Sequence, residues 1–196
     1  YGKTKNLKFL EGSVEKIPLK DSFVDVVVSF ETLEHTDKHE EMMGEIKRIL
    51  KPGGILIISS PDKANYSDRF NRVNQFHVKE LYMKDFKALM NSYFKHTHFY
   101  YQTFLTGSFI VKEDFSATGI TEYDGSYSHI NSNANLQFPL FNIAVASDEK
   151  FIEPEASYFN GSEVLKQMYF NLVMSFTPYK LGNFILRPLR FLFKKR

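Results

Sequence analysis

The sequence predicts an α/β fold built on a mostly parallel sheet, and three observations predict it. The runs Phe23-Val24-Asp25-Val26-Val27-Val28-Ser29-Phe30 and Ile55-Leu56-Ile57-Ile58-Ser59-Ser60 are nearly continuous and apolar rather than alternating. Parallel strands covered by helices on both faces read this way. Between the runs lie a charged loop, a helical pattern and the Gly53-Gly54 stop, so the order is strand, helix, strand, a βαβ unit. The loop from Ser29 to His35 then opens at the carboxyl edge of the sheet, where open α/β sheets bind ligands.

The elements follow in order. Leu7 to Leu10 reads as a short strand, with Gly12-Ser13-Val14-Glu15 as the turn at its end and a second turn at Lys20-Asp21-Ser22. A helix is expected from about Lys38 to Leu50, with Asp37 as cap and Glu40 three residues on, a capping-box spacing. Met42, Met43, Ile46, Ile49 and Leu50 form its apolar stripe, and the methionines there read as core filler. Residues 62–77 are polar and read as a loop. A second amphipathic helix is expected from about Lys79 to Tyr93, since Tyr82, Phe86, Leu89, Met90 and Tyr93 recur at helical spacing. His96 to Phe104 and Phe138 to Ala146 read as strands.

The segment 105–137 between those last strands is rich in Gly, Ser, Asn, Thr and Tyr. A connection this long is either a lid over a substrate or a mobile insertion, and both readings stay open; Tyr123, Tyr127 and His129 are the residues of interest in a lid. From Gly161 a further helix is expected, capped by Ser162, running through Phe176 and ended by Thr177-Pro178.

A chain of 196 residues and 22.9 kDa with 43% hydrophobic residues is expected to form one domain, 1–150, and an extension, 151–196. It contains no cysteine, which excludes disulfides, thiolate metal sites and a cysteine nucleophile within it. No apolar run reaches the roughly 18 residues of a membrane span. The net charge of +2 is uneven. Past Glu163 there are no acids and seven bases, Lys166, Lys180, Arg187, Arg190, Lys194, Lys195 and Arg196, which leaves 18 bases against 23 acids in the body. An acidic body argues against a nucleic-acid surface. In the tail, Leu181, Ile185, Pro188 and Leu192 fall on one side and Arg187, Arg190 and Lys194 on another. Such an end either lies on an anionic membrane surface through residues 181–196 or packs Phe184, Ile185, Leu189 and Phe193 on the domain or a partner subunit, as in a homo-oligomer. The expected location is cytoplasmic, with peripheral contact at the inner face of the membrane.

The ordered set "FLEGSVEKIPL", "FVDVVVSFETLEH" and "RILKPGGILIISSP" resembles the second half of a class I S-adenosylmethionine-dependent methyltransferase of the type 11 small-molecule group. The resemblance is close over residues 7–61 and looser to about 104. It implies a Rossmann-like sheet closed by an antiparallel pair, and S-adenosylmethionine as cofactor. Family members begin with a strand, a G-x-G-x-G turn and an acidic residue one strand later. The only glycines before residue 44 are Gly2 and Gly12, neither in such a turn, so two amino-terminal units, roughly 60 residues at about 30 per βα unit, are expected to be missing.

The resemblance also implies site residues. Ser13 would sit beside the adenine amine, although many relatives carry Asp there, and the Val14 amide near a ring nitrogen. Ser29, Phe30 and Glu31 would line the methionine part of the donor, and Glu34 and His35 match the family's "EH" pair at the mouth of the cleft. "NRVNQFHVKEL" is similar to a run in methyltransferases of cell-surface polysaccharide synthesis, with the pattern N-x-F-H-x-x-E. Methyl transfer from a sulfonium is an in-line displacement that needs alignment and exclusion of water, and a hydroxyl acceptor is helped by a base. His77 is the expected base, with Glu80 three residues on to orient it. His35 and His39 are four apart, yet "EHTDKHE" lacks the H-E-x-x-H pattern, and no metal is expected. Nor is there a G-x-G-x-x-G fingerprint of a nicotinamide enzyme. The expected function is methyl transfer to a small-molecule acceptor, a hydroxyl of a sugar or glycan precursor. The alternative is a non-catalytic scaffold docked by its basic tail.

Overall fold

The structure is a computed structural model that describes residues 5–104, 121–126, 129–133, 138–154 and 162–176. Two units divide at Glu153 and Pro154. In the first, β1 (Val24–Ser29), α1 (His39–Ile49) and β2 (Leu50–Pro61) form the expected βαβ unit, with β1 and β2 parallel. The short α2 (Lys63–Tyr66), then α3 (Met83–Tyr93) and β3 (His96–Gln102), follow. A hairpin of β4 (Glu122–Ser126) and β5 (His129–Asn133) stands as its own two-stranded sheet, and β6 (Phe141–Ser147) returns to the main one. The strand order is β1-β2-β6-β3, with β6 antiparallel to both neighbours. This is the α/β sheet with an antiparallel closing pair that the sequence led us to expect.

One face of that sheet carries the core. Leu56 and Ile58 of β2 lie in register with Ala146 and Ala144 of β6, and Met43 and Ile46 of α1 join Phe86 and Met90 of α3 in the same buried cluster. The opposite face is thinner. Alternate valines of β1 face out, with Val26 49% and Val28 56% exposed, so β1 is covered on one face among the described residues rather than on both. Leu7 to Leu10 form no strand; backbone N–H and C=O groups make a strand only when a neighbouring strand meets them, and these residues have none among those described.

Local chemistry adjusted other boundaries. The glycines do not stop the chain before β2, which starts at Leu50 opposite Val24; the register then jumps to Val26 opposite Ile55, so the Lys51-Pro52-Gly53-Gly54 stretch is looped out as an irregularity within the strand. Gly53 has φ +72°, a left-handed conformation that favours glycine, and a Cβ there would push aside the Glu149 carboxylate, 2.8 Å away. Asp37 does not cap α1: Lys38 holds the N-cap position with no side-chain cap, and its N–H donates to Thr36 Oγ1 at 3.0 Å. α3 begins at Met83 rather than Lys79, because Leu81 bridges Asp62 and its carbonyl accepts the Lys63 N–H at 3.1 Å. The polar 62–77 loop contains α2 and a 3₁₀ turn at Asp68–Phe70. Within 105–137 the hairpin is ordered, Tyr123 is exposed, and Tyr127 lies outside the described residues.

The segment before β1 is tied to α1 by one arginine. Arg48 donates to both Glu45 carboxylate oxygens at 2.7 Å, to the Leu19 and Ile17 carbonyls at 2.8 and 2.9 Å, and to Asp21 at 2.7 Å. Glu45 in turn accepts the Ile17 N–H at 2.7 Å. The Arg48 hydrogen bonds pull the Glu45 carboxyl from its ordinary 4.5 down to about 2, against an opposing effect of burial. A carboxyl whose folded value is depressed contributes stability that is full above its unfolded value and is lost as pH falls toward the folded one. Glu45→Gln is therefore expected to destabilise at neutral pH and to match the parent protein progressively between pH 4.5 and about 2. Urea unfolding of both across that range checks this, and a gap that does not change with pH would remove the assignment.

The second unit contributes α4 (Ser162–Ser175), whose Met168, Tyr169, Phe170, Leu172 and Val173 are exposed. The basic tail, with the membrane contact expected of residues 181–196, lies outside the described residues. No described helix is long and apolar enough to cross a membrane.

Candidate active site

Two loops leave the carboxyl ends of β1 and β2 and are laced together by backbone hydrogen bonds. After Ser29 and Phe30 the chain turns at Glu31, whose φ is +49°. That turn is held by Ser59 of β2: the Glu31 N–H donates to the Ser59 carbonyl and hydroxyl, both at 3.3 Å, while Ser59 Oγ donates to Glu31 Oε1 at 2.6 Å. A 3₁₀ turn, Leu33–His35, then drives Leu33 into the core and leaves Glu34 only 1% exposed. The Glu34 carbonyl accepts the N–H groups of Val78 and Lys79 at 2.7 and 3.1 Å. His35 Nδ1 donates to the Phe76 carbonyl at 2.8 Å. The 74–80 segment is thereby pinned across the end of β1.

His77 sits at the centre of this lacing. Its Nδ1 donates to Glu80 Oε1 at 2.5 Å, and Ser67 Oγ donates to the same oxygen at 2.8 Å. Asn74 Nδ2 donates to His77 Nε2 at 2.9 Å. The Asn74 amide is oriented by its Oδ1, which accepts the Phe76 N–H at 3.1 Å. These partners set the tautomer, with the proton on Nδ1 and a lone pair on Nε2. Tyr66 stacks on the ring at 5.4 Å, and His35 meets it edge-on at 5.2 Å. Burial raises the carboxyls of Glu31 and Glu34 above their ordinary 4.5; the Glu31 charge raises Glu34 further, and His35 and His77 pull both back.

The structure thus brings Glu31, Glu34, His35 and His77 into one group, with Phe30 exposed beside them in the chain. Glu80 orients His77 as the spacing led us to expect. His39 does not join His35: its Nε2 bonds the Leu33 carbonyl at 3.0 Å and it is buried at the start of α1. The Ser13 turn is a separate local feature, bridged to Lys16, with Ser13 Oγ accepting the Glu15 N–H at 3.2 Å. Val14 packs partly buried against the core, and none of the described hydrogen bonds uses its amide. A cavity of about 490 Å³ beside this turn is lined by Glu11, Gly12, Ile17 and Arg48 among others, and by none of the histidines. Sequence reasoning missed Ser59, Ser67, Tyr66 and the lone-pair partner Asn74. Asn74 and Glu80 were visible as the ends of the N-x-F-H-x-x-E run; Ser59, Ser67 and Tyr66 carry no such signal.

Comparisons with known proteins agree with this architecture. Residues 1–58 match the methyltransferase domain family. A probable S-adenosylmethionine-dependent methyltransferase of Mycolicibacterium smegmatis is 34% identical over 82 residues, 41% of this chain and 32% of that protein. The sterol 4-C-methyltransferase strm-1 of Caenorhabditis elegans is 32% identical over 85 residues, 43% of this chain and 25% of its own length. The chain thus spans about a third or less of the curated relatives it matches. A chain from the Haloferax volcanii complex between the Trm112 methyltransferase activator and its methyltransferase partner shares the fold, with a TM-score of 0.52 at 17% identity over 76% of this chain and 65% of that one. Over residues 1–58 the chain is thus similar in sequence to the methyltransferase domain family, and its sheet shares the fold of a methyltransferase of known structure.

Proposed function

We propose that the protein transfers the methyl group of S-adenosylmethionine to a small-molecule acceptor, a hydroxyl of a sugar or glycan precursor. The observation that carries this reading is that the loop leaving β1 carries an exposed apolar side chain, Phe30, and, through the Glu34 carbonyl, holds the segment of His77, an imidazole whose Nδ1 proton is held by a carboxylate. Three features of the residues support binding of the donor. Phe30 offers an apolar face, the turn at Glu31 is fixed by Ser59, and the Val14 amide is free to meet an acceptor atom of an adenine ring. When bound, the donor supplies an electrophilic methyl on a sulfonium. The protein's part is alignment, exclusion of water and removal of the hydroxyl proton. In this reading His77 Nε2 takes that proton once the Asn74 amide yields its place, Glu80 steadies the resulting imidazolium, and His35 packs against the ring edge.

The test is methylation of a panel of sugar hydroxyl acceptors with radiolabelled donor, by the protein expressed from its complete reading frame, alongside calorimetry with S-adenosylhomocysteine. Donor-product binding with label in a sugar acceptor is expected. Absence of any S-adenosylhomocysteine binding would overturn the proposal, and label only in non-sugar acceptors would overturn its finer half. Phe30→Ala is expected to weaken S-adenosylhomocysteine by about 10- to 100-fold, the loss of a buried aromatic contact of about 1.5–3 kcal/mol. Unchanged affinity in that variant would place the donor elsewhere.

A further inference from the structure

We propose that Glu34, His35 and His77 bind one divalent first-row transition-metal ion. Each offers a ligand atom, and these atoms lie within 4.8 Å of one another. Three features of their surroundings point to a ligand. First, Glu34 is 1% exposed and its Oε2 has no hydrogen-bond partner. A buried carboxylate oxygen without a partner is costly, and an ion satisfies it. Second, His35 commits its Nδ1 proton to the Phe76 carbonyl, which leaves the Nε2 lone pair 3.6 Å from Glu34 Oε1. That is too long for a hydrogen bond. It is near the spacing of two donors on one ion, since atoms about 2.1 Å from a metal and about 90–110° apart stand about 3.0–3.4 Å from each other. Third, His77 gives its Nδ1 proton to Glu80, the carboxylate support that metal-binding imidazoles commonly have. Its Nε2 lone pair accepts only the Asn74 amide, a neutral donor that an ion could replace. A turn of the Asn74 side chain frees the lone pair.

Two imidazoles and one carboxylate suit manganese, iron, cobalt or zinc better than magnesium or calcium, whose preferred ligands are all oxygen. Three protein ligands also leave coordination positions open. The binding of the ion stands on its own; its role rests on the methyl-transfer reading. There, an acceptor hydroxyl coordinated to the ion loses its proton to solvent more readily. The oxygen's electron pair then forms the O–CH₃ bond as the S–CH₃ bond breaks, which gives the methyl ether and S-adenosylhomocysteine. With the ion bound His77 is a ligand and solvent takes the proton; in the metal-free protein the His77 lone pair takes it, as in the methyl-transfer reading.

The probe is Co²⁺ added to chelator-treated protein, followed by its visible d–d absorption, with Mn²⁺ titrated by calorimetry. One ion per chain is expected. Glu34→Gln and His35→Ala should each weaken it by at least about tenfold. Glu34→Gln keeps the shape of the side chain and the backbone carbonyl that holds Val78 and Lys79, and thermal melts confirm that both variants fold. No cobalt spectrum, or equal affinity in both folded variants, overturns the site. S-adenosylhomocysteine titrated into the same samples reports separately on the methyltransferase reading. Donor-product binding without metal binding removes only the ion; metal binding without donor-product binding removes only the methyl-transfer role.

Discussion

His77→Ala is expected to lower methylation of a hydroxyl acceptor by about 10²- to 10⁴-fold, the usual range for loss of a positioned proton-transfer group, while S-adenosylhomocysteine affinity stays within about twofold. The split follows from the geometry. The His77 ring is held on Nδ1 by Glu80 and on Nε2 by Asn74, and stacks on Tyr66, so it belongs to the segment pinned across the end of β1 rather than to Phe30 or the Ser13 turn. Single-turnover rates and calorimetry on the same sample read both quantities. Full activity in the alanine variant would assign the ring to holding residues 74–80 in place and nothing more. A rate lost in this variant but indifferent to chelation would keep His77 as a direct proton acceptor; a rate lost in both cases would favour its role as a ligand.

Phe86→Ala is expected to cost about 3–5 kcal/mol of folding stability, the range for deleting a fully buried aromatic side chain. Phe86 is 0% exposed on α3, meets Phe99 of β3 edge-on with centroids 6.3 Å apart, and shares its cluster with Met43, Ile46 and Leu56. It is therefore the point at which both helices and the closing strand pair converge. Domains hold only about 5–15 kcal/mol in total, so the variant should unfold at much lower urea with an unchanged m-value. A loss under about 1 kcal/mol would mean that the neighbouring methionines close the gap, which their flexibility makes the main competing outcome.

The βαβ unit was legible in the chain alone, because unbroken β-branched runs and a helical stripe at Met42, Met43, Ile46 and Ile49 need only local periodicity to be read. The antiparallel closing pair was legible too, though that came by resemblance. His77 could be named with Glu80 because a three-residue spacing is a local property. Leu7 to Leu10 as a strand, Asp37 as a cap and Lys79 as a helix start all followed local propensity, and in each case the backbone groups found, or failed to find, partners elsewhere. Which groups meet follows from packing in three dimensions. Glu34 is buried because the Leu33–His35 turn lies under residues 76–79, and it accepts Val78 and Lys79 through its carbonyl while its own carboxylate is left facing two imidazoles. Such a meeting depends on the register of β1 against β2 and on the path of the chain beyond Pro61. Those are set by packing across the whole sheet, so no window of sequence contains them.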